Sequence, residues 1–311
     1  MGTGAPAPSG RFAYASHVIS DAPLPMARSY VALKRFAPAL ATAAAFLALF
    51  AQPLLLLVQD WWRLPEAGHG LLLAPLAAWL AWRSGIRDTA SPNHGLGIAI
   101  LLAAVFIRYI SGLAAELFTM RESVVLALAA LTVYHFGVTQ LRWWWLPFTL
   151  AALTVPLPEL VTQQLALPLQ FEASRIGAKL LSSRHVPVQL MGNIIRLPGR
   201  ELFVTEACSG LRSLTALVGL GILMGAVALR HPISRLAILA LVIPVAILMN
   251  GVRVFLTGFL VYFVSPSFGE GFMHLTEGWL LFLVSVASLG LLAWVFVLVE
   301  QYLMKLETRD V

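Results

Sequence analysis

The sequence EACSGLRSLTALVGLGILMGAVAL, residues 206–229, passes from a polar stretch into an apolar run long enough to cross a membrane. Cys208, the only cysteine in the 311 residues, lies at this boundary. A thiol at a helix start lies near unpaired backbone N–H groups and the positive end of the helix dipole, which favour the thiolate. Arg212, four residues later, adds positive charge on the same helical face. The boundary therefore predicts a membrane helix that begins beside a reactive thiol, although a lone cysteine is often only a buried packing residue.

Composition indicates that nearly all of the chain lies in or beside lipid. Hydrophobic residues make up 59% of the sequence and charged residues 12%, about half the charge of a soluble domain. The net charge of +6 comes from basic residues scattered among loops, so no nucleic-acid partner is expected. One cysteine excludes an internal disulfide and any multi-cysteine metal site. The sequence has no HExxH, GxSxG or P-loop motif, and we expect neither a metal nor a cofactor.

The apolar runs predict an all-α polytopic membrane protein with about eight transmembrane helices. The runs cover approximately residues 37–58, 69–82, 95–113, 122–139, 143–157, 210–229, 236–262 and 275–299. Together they form one transmembrane domain, residues 36–303. A disordered cytoplasmic tail, residues 1–35, precedes it, and a short cytoplasmic tail, residues 304–311, follows it.

Lysine and arginine residues in short loops predict the orientation. With the N-terminus inside, the short outer loops contain only Arg63 and Arg121. The inner segments contain Arg28, Lys34, Arg35, Arg83, Arg87, Arg142, Arg230, Arg235, Lys305 and Arg309. Eight spans with both ends in the cytoplasm satisfy this distribution and place Cys208 at the outer face. The second and fifth runs are the shortest, and failure of either to cross would move every later loop to the other side.

Residues 159–206 differ from the spans and are predicted to form an extracytoplasmic segment. Gln170, Arg175 and Lys179 interleave with leucine and isoleucine at helical spacing, which is typical of an amphipathic helix lying on the membrane surface. From Val186 to Val204, short β-like runs are broken by glycine and proline. This pattern predicts a small β-turn element that leads directly to the cysteine.

Two further polar groups are predicted at the depth of the thiol. Asn250 and Arg253 share one face of the seventh span near its outer end, and His274 opens the last span at the same level. A charge within a span is unfavourable by roughly 2.5–3.5 kcal/mol and is a functional candidate, although snorkelling would also explain it. A thiol, a guanidinium and an imidazole at one depth favour acyl transfer. The thiolate attacks a carbonyl, the cation stabilises the oxyanion, and the imidazole transfers protons.

The chain resembles the exosortase/archaeosortase family of membrane-embedded cysteine transpeptidases. The resemblance rests on three blocks in the family's order: Ala207–Arg212, Asn250–Arg253, and His274 with Gly278. The stretch from His69 to Arg83 is similar to the family's N-terminal block, and the stretch from Val186 to Gly199 resembles the segment before its cysteine. Histidine rather than arginine in the third block favours a bacterial exosortase.

The resemblance implies a thiol protease or transpeptidase of the bacterial inner membrane whose active site faces the periplasm. Its partners would be membrane lipid and exported proteins with a C-terminal PEP-CTERM sorting signal, which combines a Pro-Glu-Pro-like motif, a hydrophobic helix and a basic cluster. Cys208 would form a thioester, Arg253 would stabilise the oxyanion and His274 would transfer protons. Arg212, Asn250 and Ser209 are candidates for supporting roles. The protein would pass to an unidentified acceptor in a setting linked to exopolysaccharide.

Two alternatives remain open from the sequence. A non-enzymatic transporter or scaffold of polysaccharide export would explain the spans and the intramembrane Arg108 and Arg253 without a thiol. Plain proteolysis, with water as the acceptor, would share the thioester step. Arg108 is expected to pair with Glu116 or a lipid headgroup, and His69 and His135 are interpreted as structural.

Overall fold

The computed structural model describes residues 25–64, 67–204, 211–265 and 271–307. Within these ranges the chain forms nine helices and one three-stranded sheet. The elements are α1 (Pro25–Arg63), α2 (Gly70–Ser84), α3 (His94–Leu113), α4 (Leu117–Trp143), α5 (Trp145–Ala152), α6 (Glu159–Ser183), β1 (Gln189–Met191), β2 (Ile194–Leu197), β3 (Arg200–Phe203), α7 (Leu211–Ala228), α8 (Pro232–Phe263) and α9 (Gly271–Glu307). The chain divides into two compact units, residues 1–49 and 50–311.

The protein is an all-α membrane protein with one small sheet. Five helices in the described ranges are long and apolar enough to cross a bilayer: Ala39–Arg63, His94–Leu113, Leu117–Trp143, Pro232–Phe263 and Gly278–Lys305. The predicted count of eight is not established by this criterion. The second and fifth predicted spans fall on α2, with 15 residues, and α5, with 8. At 1.5 Å per residue these helices are about 22 Å and 12 Å long, shorter than the hydrocarbon core.

The helical ends differ from the predicted tail boundaries. α1 begins at Pro25, inside the segment predicted as a disordered tail, and α9 continues to Glu307, beyond the predicted end of the domain. The residues added at both ends include alanine, leucine, lysine and arginine, which are good helix formers, so a helix extends past the apolar run. Residues 1–24 and 308–311 lie outside the described part of the chain.

Two sets of contacts show which ends of α1, α2, α4 and α5 lie together. Each set defines one level along these helices. At one level, Trp61 Nε1 donates to the Thr154 carbonyl at 2.8 Å, and His69 Nε2 donates to the Leu153 carbonyl at 2.9 Å. These contacts join the end of α1, the start of α2 and the residues after α5. They also support the structural role predicted for His69.

At the other level, aromatic side chains hold the end of α2 to the end of α4. Trp143 Nε1 donates to the Ser84 carbonyl at 3.2 Å, and Trp144 Nε1 donates to the Gly85 carbonyl at 3.2 Å. The guanidinium carbon of Arg87 lies 4.7 Å from the Trp143 ring centroid. α2 and α5 therefore each connect the same two levels, despite their short lengths.

A buried ion pair joins α1 to α4. Arg121 Nη2 lies 2.5 Å from Asp60 Oδ2, and the two side chains are 8% and 14% exposed. The charge pattern of the sequence predicts Arg121 in a short outer loop. The structure places Arg121 in the first turns of α4. Its burial is tolerated because Asp60, at the end of α1, supplies the opposite charge.

We expect loss of one member of this pair to unfold the protein readily. Asp60→Ala leaves Arg121 buried without this carboxylate and is expected to lower stability by about 3–5 kcal/mol. Thermal unfolding of the detergent-purified protein measures the change. The matched control is Arg175→Gln, which breaks the exposed Arg175–Glu172 pair and is expected to change stability by about 0–1 kcal/mol. Equal melting temperatures for both variants would contradict a stabilising role for the buried pair.

The Glu116 carboxylate caps the start of α4. From the sequence, this carboxylate was a candidate partner of Arg108. The carboxylate accepts hydrogen bonds from the backbone N–H groups of Phe118 at 3.0 Å and Thr119 at 2.8 Å, and from the Thr119 hydroxyl. The hydroxyl of Thr119 is the first cause of a lowered Glu116 pKa, since it stabilises the charged carboxylate. Arg108 instead places its guanidinium carbon 4.7 Å from the Tyr109 ring centroid.

α6 packs lengthwise against the second half of α8 and runs in the same direction. A Cβ at Gly177 would lie 2.5 Å from Val254 Cγ1, and a Cβ at Gly251 would lie 2.5 Å from Ile176 Cγ2. These glycines let the two backbones approach closely. The prediction that α6 lies on the membrane surface stays a prediction, and α6 is not among the described helices apolar enough to cross a bilayer. Its small residues form a contact face for α8, and a pattern of large apolar and charged residues does not reveal such a face.

The predicted β-turn element is a three-stranded antiparallel sheet in the order β1-β2-β3. Its two turns contain Gly192 (φ 63°) and Gly199 (φ 76°), where the left-handed backbone favours glycine. The sheet packs on α6 and α8 through a shared core that includes Leu181, Ile195 and Val254. β3 is thus held beside α8 at its last residues before the cysteine segment.

Candidate functional site

Arg253 on α8 places its guanidinium against the backbone of α9. A Cβ on Gly278 would lie 3.1 Å from Arg253 Nη2 and 3.2 Å from Arg253 Cζ, so the guanidinium occupies space that any side chain at this position would enter. Gly278 follows His274 by four residues, and both positions therefore lie on one face of α9. The cation predicted from the sequence is thus held beside the turn of α9 that follows the predicted histidine.

α7 and α8 pack antiparallel with a regular register. A Cβ at Gly225 would contact Ile238 Cγ2 at 3.3 Å, and a Cβ at Gly221 would contact Val242 Cγ2 at 2.7 Å. Each step of four residues toward the start of α7 therefore corresponds to four residues toward the end of α8. Leu217 of α7 and Ala246, which follows Pro244 on α8, belong to the same buried core, so the start of α7 lies toward the Arg253 end of α8.

α9 follows the same register on the other side. Gly221 faces both Val242 of α8 and Leu289 of α9. Arg253 lies 11 residues after Val242 on α8, and Gly278 lies 11 residues before Leu289 on α9. The two helices therefore keep the same antiparallel register between these contacts. The core shared by α7, α8 and α9 comprises Leu217, Leu229, Ile238, Val242, Ala246, Leu289 and Ala293. The helices α7, α8 and α9 therefore form one bundle.

The sheet leads to the part of α8 that contains Arg253. Val204, the last described residue before the cysteine segment, is buried and belongs to the same core as Val254, the neighbour of Arg253. Leu202 lies beside Gly258, one turn further along α8. The chain is described again from Leu211, the first residue of α7. Val204, on one side of the cysteine segment, therefore belongs to the core that includes the neighbour of Arg253.

The predicted site residues differ in how far the structure describes them. Arg253 is half-buried, and Asn250, one turn earlier on α8, is 6% exposed. Arg212 lies in the first turn of α7, and His274 lies near the start of α9, as predicted. The side chains of Arg212 and His274, like all of Cys208 and Ser209, fall outside the described part of the structure. The meeting of sulfur, guanidinium and imidazole stays a prediction.

A polar link that the sequence patterns did not predict precedes the cysteine segment. The side-chain amide of Asn193 donates to Gln170 Oε1 at 3.3 Å and to the Val204 carbonyl at 3.2 Å. Gln170 is 4% exposed on α6, and one turn later the Ser174 hydroxyl donates to its backbone carbonyl at 2.7 Å. The available signal was a polar position within a stripe of small residues, whereas Gln170 was interpreted as part of a solvated face.

Other parts of the described chain contribute less to the site. A groove of about 390 Å³ lies along α4 and is lined by residues that include Ile107, Glu122, Leu126 and Phe148, but by none of the predicted site residues. In the ranges that the structure covers, no group of three histidine, cysteine or acidic side chains could hold a metal ion. The His135 ring packs edge-on against Tyr134, with centroids 4.9 Å apart.

A family model described as "Transmembrane exosortase" matches residues 61–291. The match covers well over half of the chain and includes all three sequence blocks, the sheet and most of α9. Comparison with curated proteins and with solved structures gave no match.

Proposed function

The chain belongs to the transmembrane exosortase family, and from this premise we propose that it is a cysteine transpeptidase that processes C-terminal sorting signals of exported proteins. The observation that carries the proposal is the guanidinium of Arg253, held against Gly278 toward the end of α8 where α7 begins. A permanent cation beside a helix start suits an anionic intermediate, because both the charge and the unpaired N–H groups stabilise negative charge.

In the proposed reaction the Cys208 thiolate attacks the carbonyl carbon of the scissile peptide bond. A C–S bond forms, and the carbonyl electron pair moves to oxygen, where Arg253 stabilises the oxyanion. The intermediate collapses, the C–N bond breaks, and the leaving amine takes a proton from the His274 imidazolium. The resulting thioester is attacked by the acceptor, whose proton passes to His274 while the thiolate is released. Asn250, Arg212 and Ser209 are proposed to support these three groups.

The proposed topology has eight crossings, both ends in the cytoplasm and the site at the periplasmic face of the inner membrane. The contacts of Trp61 with Thr154 and of Trp144 with Gly85 support the two weakest crossings, because α2 and α5 each join the same two levels. Arg87 stacks on Trp143 at the level assigned to the cytoplasm, where cations and tryptophans concentrate. A substrate with a hydrophobic helix and a cytoplasmic basic end would present its Pro-Glu-Pro-like motif at the site.

The proposal is tested by trapping the acyl intermediate. Membranes containing the protein and an exported substrate with a PEP-CTERM signal are treated with hydroxylamine, an amine nucleophile that attacks thioesters. We expect the shortened substrate to carry a C-terminal hydroxamate by mass spectrometry. A free carboxylate as the major product in the absence of hydroxylamine would assign hydrolysis rather than transfer. Normal polysaccharide export with no shortened substrate under any condition would favour the transporter or scaffold.

A further inference from the structure

We propose that Asn193 is a positioning residue for Cys208, which it serves by fixing the end of β3 to α6. This inference rests on the proposed function. It concerns the residue to which the cysteine segment is attached, and it assigns a role to a side chain that the sequence blocks do not include.

Asn193 extends the sheet by one residue beyond the last regular pair. Ile194 pairs with Phe203 at the end of the β2–β3 ladder. One residue further, the Val204 N–H donates to the Asn193 backbone carbonyl at 3.0 Å, and Asn193 Nδ2 donates to the Val204 carbonyl at 3.2 Å. The side chain thus satisfies a buried carbonyl at the point where the strand ends, and both polar groups of Val204 are held by one residue.

Gln170 connects this strand end to the helical core. Its Oε1 accepts a hydrogen bond from Asn193 Nδ2 at 3.3 Å, and only 4% of the residue is exposed. α6, which carries Gln170, is itself held closely to α8 by the contact between Gly177 and Val254. A continuous path of contacts therefore runs from the strand end to the helix that positions the guanidinium of Arg253.

The link to Val204 matters for catalysis because Val204 and Cys208 are close in sequence. Cys208 follows Val204 by four residues, which can span at most about 14 Å when fully extended. Release of Val204 would let the thiol sample positions away from the scissile carbonyl, and a misplacement of about 1 Å can reduce a rate about 100-fold. The sheet has its own apolar core, which includes Ile195 and Leu197, so loss of the link is expected to leave the sheet folded.

The test compares processing kinetics of four variants in membranes. Asn193→Ala and Gln170→Leu are expected to lower kcat about 10- to 100-fold with KM changed less than threefold, since geometry rather than substrate binding is altered. Gln170→Glu retains an acceptor oxygen of similar size, but a charged carboxylate is unfavourable at a position that is 4% exposed. We therefore expect its kcat, relative to the wild type at the same pH, to exceed that of Gln170→Leu where the carboxyl is protonated. Arg196→Gln breaks the exposed ion pair with Glu201 on the same sheet and is expected to process normally.

The outcomes separate the inference from the proposed function. Full processing by Cys208→Ala would contradict the proposed function itself. If Cys208→Ala is inactive but Asn193→Ala retains wild-type kcat, the positioning role is wrong. Equal losses in Gln170→Glu and Gln170→Leu at every pH, each relative to the wild type at that pH, would also contradict it, because the accepting oxygen would then be irrelevant. Should Asn193→Ala fail to accumulate in membranes, the Gln170 pair decides the question.

Discussion

Cys208→Ala is expected to reduce kcat for processing of a sorting-signal substrate by about 10⁵- to 10⁶-fold, the scale on which loss of a catalytic nucleophile acts. The physical reason is that no other thiol is present, since Cys208 is the only cysteine in the chain. Without it, no thioester can form, and the substrate should accumulate at full length. Immunoblots of the substrate and mass spectrometry of its C-terminus measure the loss.

Cys208→Ser is the matched variant, because a hydroxyl replaces the thiol with little change in shape. A hydroxyl is a far weaker nucleophile without a strong base, so we expect it to be close to the alanine variant in activity. Both variants should reach wild-type levels in the membrane. Wild-type processing by the serine variant would show that the sulfur is not the nucleophile and would favour the transporter or scaffold.

Arg253→Gln is expected to lower kcat about 10²- to 10³-fold, the effect of removing one stabilising donor from an oxyanion. Glutamine retains hydrogen-bonding capacity but not the permanent charge. Arg253→Lys should recover only part of the activity, because a compact ammonium cannot occupy the planar guanidinium site against Gly278. Steady-state kinetics in membranes measure the change, and KM is expected to change much less than kcat.

Gly278→Ala tests the same cation without altering its charge. The new Cβ would lie 3.1 Å from Arg253 Nη2, so the guanidinium must shift by a few tenths of an ångström. We expect kcat to fall by roughly 10-fold, since an electrostatic contact to a transition state depends on its geometry. Arg108→Gln is the control, because it removes another intramembrane arginine that lies over Tyr109. Loss of processing in the control equal to that in Arg253→Gln would contradict a specific role for Arg253.

The helix count illustrates the limit of reading spans from hydropathy. Apolar runs of adequate length predicted α3, α4 and α8, because a membrane-crossing helix must satisfy its backbone internally over the hydrocarbon thickness. The runs on α2 and α5 were too short for this rule to decide. Their two levels became clear only from tertiary hydrogen bonds, such as those of His69 with the Leu153 carbonyl and Trp143 with the Ser84 carbonyl.

The packing of α6 shows a different limit. Sequence periodicity identified a helix with polar residues, and this was interpreted as a helix lying on the membrane surface. Its contact with α8 depends on the absence of side chains at Gly177, Gly251 and Gly258. Glycine residues are not distinguished by a hydropathy profile. Whether they form a helix contact depends on the helix that packs against them. The same holds for Asn193, whose amide matters because a buried glutamine and a strand end lie on either side of it.

The sequence by itself determined the membrane class, the β element before the cysteine, and the three blocks that carry a thiol, a guanidinium and an imidazole. Composition, short-range periodicity and residue chemistry are sufficient for these conclusions, since each is a local property of the chain. Only the tertiary structure decided that α7, α8 and α9 share one core, that Arg253 lies against Gly278, and that Asn193 joins β3 to α6. These facts depend on the register between distant helices, which close packing of specific side chains determines and local sequence does not.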